Sequence, residues 1–588
     1  MKKTLSFILV IAMFASCFSY MGLAICAIAE ETELNMSKIN YYYYDSLDVV
    51  CCSNDPEDFE ENVGEDDTVE IVLQLNHSVQ QCDCKQKIFE ADNKFQADQI
   101  FQEHKNHIKE TMSDKNAQFL SEHDISVNSS EYEVIPSEYS PFIQIHFDNY
   151  DEYTGHDEDI ISLAAENETV SINIMVPIEF EPNATRVDRQ DAPNYPLADA
   201  IEDIGADDQT YDGDGIKVGI IEGEGVTFSS SHPDLNDLTI HTSSPNGVSS
   251  LHPHAIDVTR IFCGSNGVAR NVDEVYIYHA PNIIHIIPAI DWMVNNDCRV
   301  INASLGPYSR SSNGLYNWVT AAIDYYVYTF YVVYVCSAGN NGLQETEHLI
   351  SFNAVGYNTI TVAATDANNN IGSFSSYGIE DSTYGRKPTI SAPGTNIVLD
   401  DTTVDYGTSL AAPMVAGVAV KLIEEFPEYE YYPEVIIAAL VASATRVNGS
   451  SVTWDTHAGA GRVNYPKARE AMENAIPFSN SDSLIQTRVQ ETINFTPGKT
   501  IKAAAFWYAK SYTQDETDTV VPHSYTDYDL RLNTTSDLRI ATSITAANIE
   551  RIVFDNNSYV TLVLKLTQAS ARGEYTGFDW GAVTWVYE

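Results

Sequence analysis

The chain has 588 residues, of which 44% are apolar and 20% charged, and it carries 84 acidic against 32 basic side chains for a formal charge of -52. At about 100–200 residues per domain, that length makes roughly three or four folding units. So acidic a surface repels phosphate backbones and anionic lipid, which argues against nucleic acid and membrane surfaces as partners.

The first expected element is a targeting signal. Lys2 and Lys3 precede an apolar run from Leu5 to Ala29, and Ala27-Ile28-Ala29 before Glu30 fits a small-x-small cleavage site. Residues 1–29 are therefore expected to be a cleaved secretory signal and the product to be secreted and extracellular. The run is also long enough to span a bilayer, the alternative being an uncleaved anchor. A lipid-anchored Cys17 after Phe14-Ala15-Ser16 is a weaker third option. No later segment is long and apolar enough to cross a membrane, so no stable insertion is expected after cleavage. The nine cysteines are an odd and sparse set, which does not make a disulfide framework. Cys82-x-Cys84 lacks a nearby histidine pair and reads as free thiols or a local disulfide rather than a metal site.

Residues 30–66 are dense in acidic side chains and lack periodicity, and they are expected to form a loop or spacer. Residues 67–190 then alternate. Val69–Leu75 reads as a strand, 86–122 as helix-rich, Tyr132–Ile135 and Phe142–Phe147 as strands, Asp151–Ala165 as a helix and Val170–Val176 as a strand. That β-α-β-β-α-β order is the split, ferredoxin-like α+β motif. Residues 191–477 change to short apolar strands separated by helices. The strands are Ile216–Ile221, Glu274–Ala280, Arg299–Leu305 and Tyr331–Ser337, and the helices lie near His254–Cys263, Ile287–Asn296 and Gly314–Tyr328. This predicts an α/β fold, a parallel sheet flanked by helices, with functional residues at the carboxyl ends of the strands. Residues 478–588 lose the helical period. Thr500–Trp507, Tyr528–Leu532, Leu538–Thr542, Arg551–Phe554 and Tyr559–Leu566 predict an all-β sandwich or jelly roll.

The most specific chemistry is in Gly407-Thr408-Ser409-Leu410-Ala411-Ala412-Pro413, followed by the small and apolar run Met414–Ala419. A serine opening a buried helix presents its hydroxyl beside unpaired backbone N–H groups, which can face a developing oxyanion. This segment resembles the nucleophile motif of the subtilisin-like serine proteases, the subtilase family. The turn Ala392-Pro393-Gly394 before it and the glycine-rich segment Ala458–Asn464 after it are similar to that family as well, over roughly residues 195–475.

The resemblance implies further roles, taken motif by motif. His254-Ala255-Ile256-Asp257-Val258-Thr259-Arg260-Ile261 looks like the family's histidine stretch, and Gly267-Val268-Ala269-Arg270-Asn271 like the turn after it. His254 is then the general base for Ser409, with His252 the less favoured neighbour. Ala255 and Asp257 depart from the family pattern. At the end of strand Ile216–Ile221 the family has aspartate, whereas this chain has Glu222-Gly223-Glu224-Gly225. Glu222 is assigned the carboxylate role, with Glu224 and Asp257 in reserve. Triads on other folds accept either acid. Asn340, in Ala338-Gly339-Asn340, corresponds to the side-chain oxyanion donor, worth about 3–4 kcal/mol in the transition state. Ser304, Leu305 and Gly306 are expected to pair with a peptide substrate as an added strand, and Ala338 and Gly339 to wall a pocket.

No cofactor is required by this chemistry. The resemblance admits structural calcium, but no segment supplies assignable ligands. The expected activity is a secreted serine endopeptidase acting on protein or peptide through an acyl-enzyme. It would be made with a self-removed pro-region that assists folding and blocks the cleft, with maturation near residues 176–195. The alternative is a catalytically impaired homologue that serves as a binding scaffold.

Overall fold

A computed structural model describes residues 38–44, 50–76, 84–166, 168–177, 180–181, 192–223, 232–245, 253–307, 316–343, 349–378, 386–400, 403–479, 487–494, 497–509, 525–545, 547–572 and 580–588. The expected signal, residue Cys82, His252, Glu224 and most of the expected maturation stretch lie outside the described residues.

The centre of the molecule is a seven-stranded sheet. In spatial order its strands are Ile240–Ser243, Glu274–His279, Lys217–Glu222, Val300–Ala303, Val333–Ser337, Ile360–Thr365 and Ile390–Pro393. All six pairings are parallel. The central strands are apolar and buried along their length, as a sheet covered on both faces requires. Chain order reverses beside Lys217–Glu222: the next two strands in sequence lie on one side of it and Val300–Ala303 on the other. The carboxyl ends of these neighbouring strands define the crevice in which such folds bind ligands. Helix Thr408–Glu425 is buried from Thr408 through Ile423 and packs against four of the strands and against helix Pro253–Cys263.

The N-terminal part is a six-stranded mixed sheet. Four of its strands, Thr169–Met175, Val69–Leu75, Phe142–Phe147 and Glu133–Pro136, lie side by side in that order and antiparallel. The helical stretch divides into Cys84–Phe89 and the 29-residue helix Lys94–Glu122, which Asn93 caps by accepting from Gln96 N. The expected helix over Asp151–Ala165 is broken into Tyr150–Thr154, Asp157–Ser162 and a short turn at Leu163–Ala165.

The stretch expected to be an acidic spacer, residues 30–66, requires correction. Ile39–Tyr44 and Val50–Ser53 add two strands to the edge of this sheet, Ile39–Tyr44 running parallel to Thr169–Met175, and Pro56–Glu60 forms a helical turn. Consecutive tyrosines favour extended structure. Ile39, Tyr41 and Phe59 go into the core while the carboxylates stay outside, so acidity masked a half-buried strand.

The C-terminal part contains two antiparallel four-stranded sheets. One runs Ile476–Ser479, Trp580–Tyr587, Lys499–Trp507, Ile549–Asn556; the other Thr487–Asn494, Thr561–Arg572, Tyr525–Thr534, Arg539–Ser543. Because strand side chains alternate, Lys499–Trp507 serves two cores. Ala503, Ala505 and Trp507 join Tyr528, Leu530 and Leu564 between the sheets. Ala504, Phe506 and the following Tyr508 join the core of the central part. There they cover helix Pro433–Ser443, every residue of which is buried.

Cys84, Cys263, Cys298 and Cys336 are buried, and the last three are free thiols. Among the described residues no helix is long and apolar enough to cross a membrane, and no cluster of three or more His, Cys, Asp or Glu side chains has the arrangement of a metal site.

Candidate active site

Strand Lys217–Glu222 ends at Glu222, which is 2% exposed. Its backbone is fixed there, its carbonyl accepting from Ala280 N at 2.8 Å. The Glu222 carboxylate accepts from His254 Nδ1 at 2.8 Å through Oε2. His254 is the second residue of helix Pro253–Cys263, which is buried from Ala255 to Cys263. The extra methylene of glutamate is thus accommodated with the acid still on the imidazole. An acid so held fixes the ring's tautomer and favours the imidazolium.

Burial disfavours a charged His254, but the Glu222 carboxylate, with smaller contributions from Asp405 and Asp257, outweighs it and raises the pKa above the usual histidine value. Asp257, the residue that departs from the family pattern, does not take the acid role. It pairs with Arg260 at 3.3 Å, and burial lifts its carboxyl to about 6. Arg260 in turn donates to Asp234 at 2.7 Å, Asp400 at 3.1 Å and the Leu399 carbonyl at 3.0 Å. One guanidinium therefore ties the histidine helix to the turn at residues 233–235 and to the loop at 399–400. No local sequence pattern joins Asp234 and Asp400 to Arg260.

Ser409 is the second residue of helix Thr408–Glu425 and is 1% exposed. The turn before it is held by Gly407 N donating to Gly394 O at 2.8 Å. Gly394 is needed there because a Cβ would lie 2.7 Å from the Gly407 carbonyl oxygen. Asn340, beyond the end of strand Val333–Ser337, accepts through Oδ1 from Thr408 N at 2.9 Å and from Thr408 Oγ1 at 3.0 Å. Thr408 Oγ1 also accepts from Gly339 N at 3.1 Å. With its carbonyl end bound to the residue preceding Ser409, the Asn340 amide has its Nδ2 as the donor end, and it is tethered next to the Ser409 backbone N–H. Sequence reasoning missed this role of Thr408, although the residue stands inside the Gly-Thr-Ser motif.

The segment expected to pair with substrate ends in a short strand. Gly306–Pro307 pairs antiparallel with Phe180–Glu181 of the chain's own N-terminal part, Gly306 opposite Glu181. Leu305 and Ala338 are buried; the Leu305 carbonyl accepts from Asn353 Nδ2 at 3.2 Å, and the Ala338 carbonyl from Ser351 N at 2.9 Å. Gly339 sits at φ 106°, and a Cβ there would lie 2.5 Å from Ser351 Oγ. The Ser304 hydroxyl donates to the Ser409 carbonyl at 2.8 Å, so this side chain supports the start of helix Thr408–Glu425.

A serine at a helix start, a carboxylate-bound histidine and a tethered amide, all at the carboxyl ends of a parallel sheet, define the class of serine hydrolases on an α/β fold. A family model described as "Subtilase family" matches residues 213–461. The chain is 30% identical to Subtilisin DY of Bacillus licheniformis over 237 residues, covering 37% of this chain and 80% of that protein. It is 30% identical to a thermostable alkaline protease of Halalkalibacterium halodurans over 214 residues, covering 35% of this chain and 53% of that protein. The chain thus spans most of the first relative and about half the length of the second. Among solved structures, the prenylagaramide maturation protease PagA aligns at 23% identity and TM-score 0.38, over 46% of this chain and 98% of that one. Fervidolysin from Fervidobacterium pennivorans aligns at 17% identity and TM-score 0.46, over 84% of this chain and 77% of that one. The chain belongs to the subtilase family of serine-type peptidases.

Proposed function

We propose that the chain is a secreted serine endopeptidase in which Ser409, His254, Glu222 and Asn340 act together, and which is made with a self-removed N-terminal pro-region. The observation that carries this reading is the 2.8 Å contact of Glu222 with His254 Nδ1, since the one departure from the family pattern that threatened catalysis leaves that pairing intact. Ser409 Oγ attacks the peptide carbonyl carbon while His254 Nε2 takes its proton. The tetrahedral oxygen is held by Asn340 Nδ2 and the Ser409 N–H. The proton then passes from His254 to the leaving amine, and water repeats the cycle on the acyl-enzyme.

The pairing of Phe180–Glu181 with Gly306–Pro307 supports the pro-region reading, because an antiparallel segment lies along the edge that a peptide substrate would use. The pro-region so defined starts before residue 67 and takes in the strands from Ile39. The C-terminal sheets are read as a stabilising accessory domain of sandwich type, consistent with their shared core and with their cover over helix Pro433–Ser443.

The test is expression of the unsubstituted chain beside Ser409→Ala. The unsubstituted chain is expected to lose its N-terminal part and to react with a fluorophosphonate probe at Ser409, while the variant does neither. Identical processing of both chains, with no labelling of the mature protein, would favour the impaired scaffold.

A further inference from the structure

Lys85 lies in helix Cys84–Phe89 of the N-terminal part, 349 residues from its partner, and its side chain is 4% exposed. Its ammonium donates to Glu434 Oε2 at 2.8 Å and to the Tyr431 carbonyl at 2.9 Å. Three aromatic rings surround it, with centroids 4.4 Å away for Tyr331, 4.8 Å for Tyr432 and 5.2 Å for Tyr508. Glu434 is fully buried and stands in the first turn of helix Pro433–Ser443, where the helix dipole favours a negative charge. It also accepts from Tyr508 Oη at 2.6 Å, and its Oε1 is buried without a hydrogen-bond partner among the described residues. Tyr331 holds its place by capping helix Trp318–Phe330 at φ 53°, a left-handed conformation uncommon for an aromatic residue.

A carboxylate at the base and aromatic faces around the walls are the recognition chemistry of an alkylammonium ion. We propose that Tyr331, Tyr432, Tyr508 and Glu434 form a lysine-ammonium pocket whose occupant is Lys85, and that this contact latches the pro-region to the enzyme after the chain between them has been cut. The proposal rests on the reading of the N-terminal part as removable. The pocket draws its walls from both other parts of the molecule, Tyr508 from the C-terminal sheets and the rest from the parallel-sheet part. It is separate from the strand pairing at Gly306–Pro307, so departure of a cleaved peptide end leaves it filled. A second ion pair, next to Tyr431, is more exposed: Lys94 meets Glu430 at 2.6 Å with its own side chain 46% exposed. Losing one member of a buried pair is costly because the other charge stays unpaired, whereas an exposed pair contributes little.

The test uses the full Ser409→Ala chain with a recognition sequence for a site-specific protease placed within residues 182–191 and a C-terminal tag. Cutting is then done by the added protease, so the outcome does not depend on whether Ser409 performs the cut. After capture on the tag, loss of the N-terminal fragment is followed in time. Lys85→Met is expected to speed that loss by about 100-fold or more, and Lys94→Ala by less than about 3-fold. Without any substitution in the pocket, millimolar N-acetyl-lysine amide is expected to accelerate the loss, while N-acetyl-norleucine amide does not. A fragment that leaves at the same rate with and without the Lys85→Met substitution would overturn the latch. So would equal effects of the two amides.

Discussion

At the scale of single residues, the proposed mechanism makes the acid beside His254 set the pH at which the base is available. A raised imidazole pKa means that His254 is protonated, and so unable to accept from Ser409, until the pH exceeds that raised value. Glu222→Gln removes the charge that outweighs burial. The imidazole pKa then falls and the acid limb of kcat/KM moves to lower pH. The plateau drops about 10,000-fold because the tautomer is no longer fixed. A pH profile on a chromogenic peptide reads both effects, and an acid limb that stays in place would assign the shift to Asp405 and Asp257 instead. The residues visible in sequence were those in motifs, Ser409, His254 and Asn340, together with Glu222 by its place at a strand end. Their supports were not visible. Thr408 reaches Asn340 across 68 residues and Ser304 reaches Ser409 across 105, and spacing along a chain carries no record of such closures.

At the scale of elements, the alternation of short apolar strands with helices between residues 216 and 337 was legible because both periods are local. The expected strand Glu274–Ala280 is Glu274–His279, and the expected helix Ile287–Asn296 is Ile286–Asn295. Strand Ile39–Tyr44 and the edge strand Val50–Ser53 were not legible, since pairing of such short segments follows from the neighbour each meets more than from its own pattern. The turn into helix Thr408–Glu425 tolerates no added atom. Gly394→Ala would press a methyl group against Gly407 O at 2.7 Å and against Ala364 and Ala411 Cβ at 3.0 Å. Overpacking of this kind costs about 1–3 kcal/mol. A lower thermal midpoint is expected, together with slower fluorophosphonate labelling as Ser409 shifts with its helix. An unchanged midpoint would mean that the turn relaxes freely.

At the scale of the whole molecule, the C-terminal sheets and the central part share one continuous core through Ala504, Phe506, Tyr508, Ala582 and Val586. Arg551, fully buried, donates to the Thr453 carbonyl at 2.7 Å and the Ala444 carbonyl at 3.0 Å, and also to Ala460 O. A chain ending at residue 477 would expose the apolar face of helix Pro433–Ser443 and strand those carbonyls. It is expected to accumulate as aggregate, and recovery of soluble, active truncated protein would show the sheets to be dispensable. That this C-terminal part is β-rich was legible from its broken helical period. That it is welded to the rest was not, because the alternation in Lys499–Trp507 has two apolar faces and does not say which partner each one meets.

The buried thiols of the central part carry a practical consequence. Burial pushes Cys336 up to about 11 and Cys263 and Cys298 higher still, so at neutral pH none of these three is a thiolate or open to a reagent. Each becomes reactive only when its surroundings come apart. Alkylation of Cys263, Cys298 and Cys336, read by peptide mass, should therefore time the opening of the parallel-sheet part at three separate points, with no foreign label introduced.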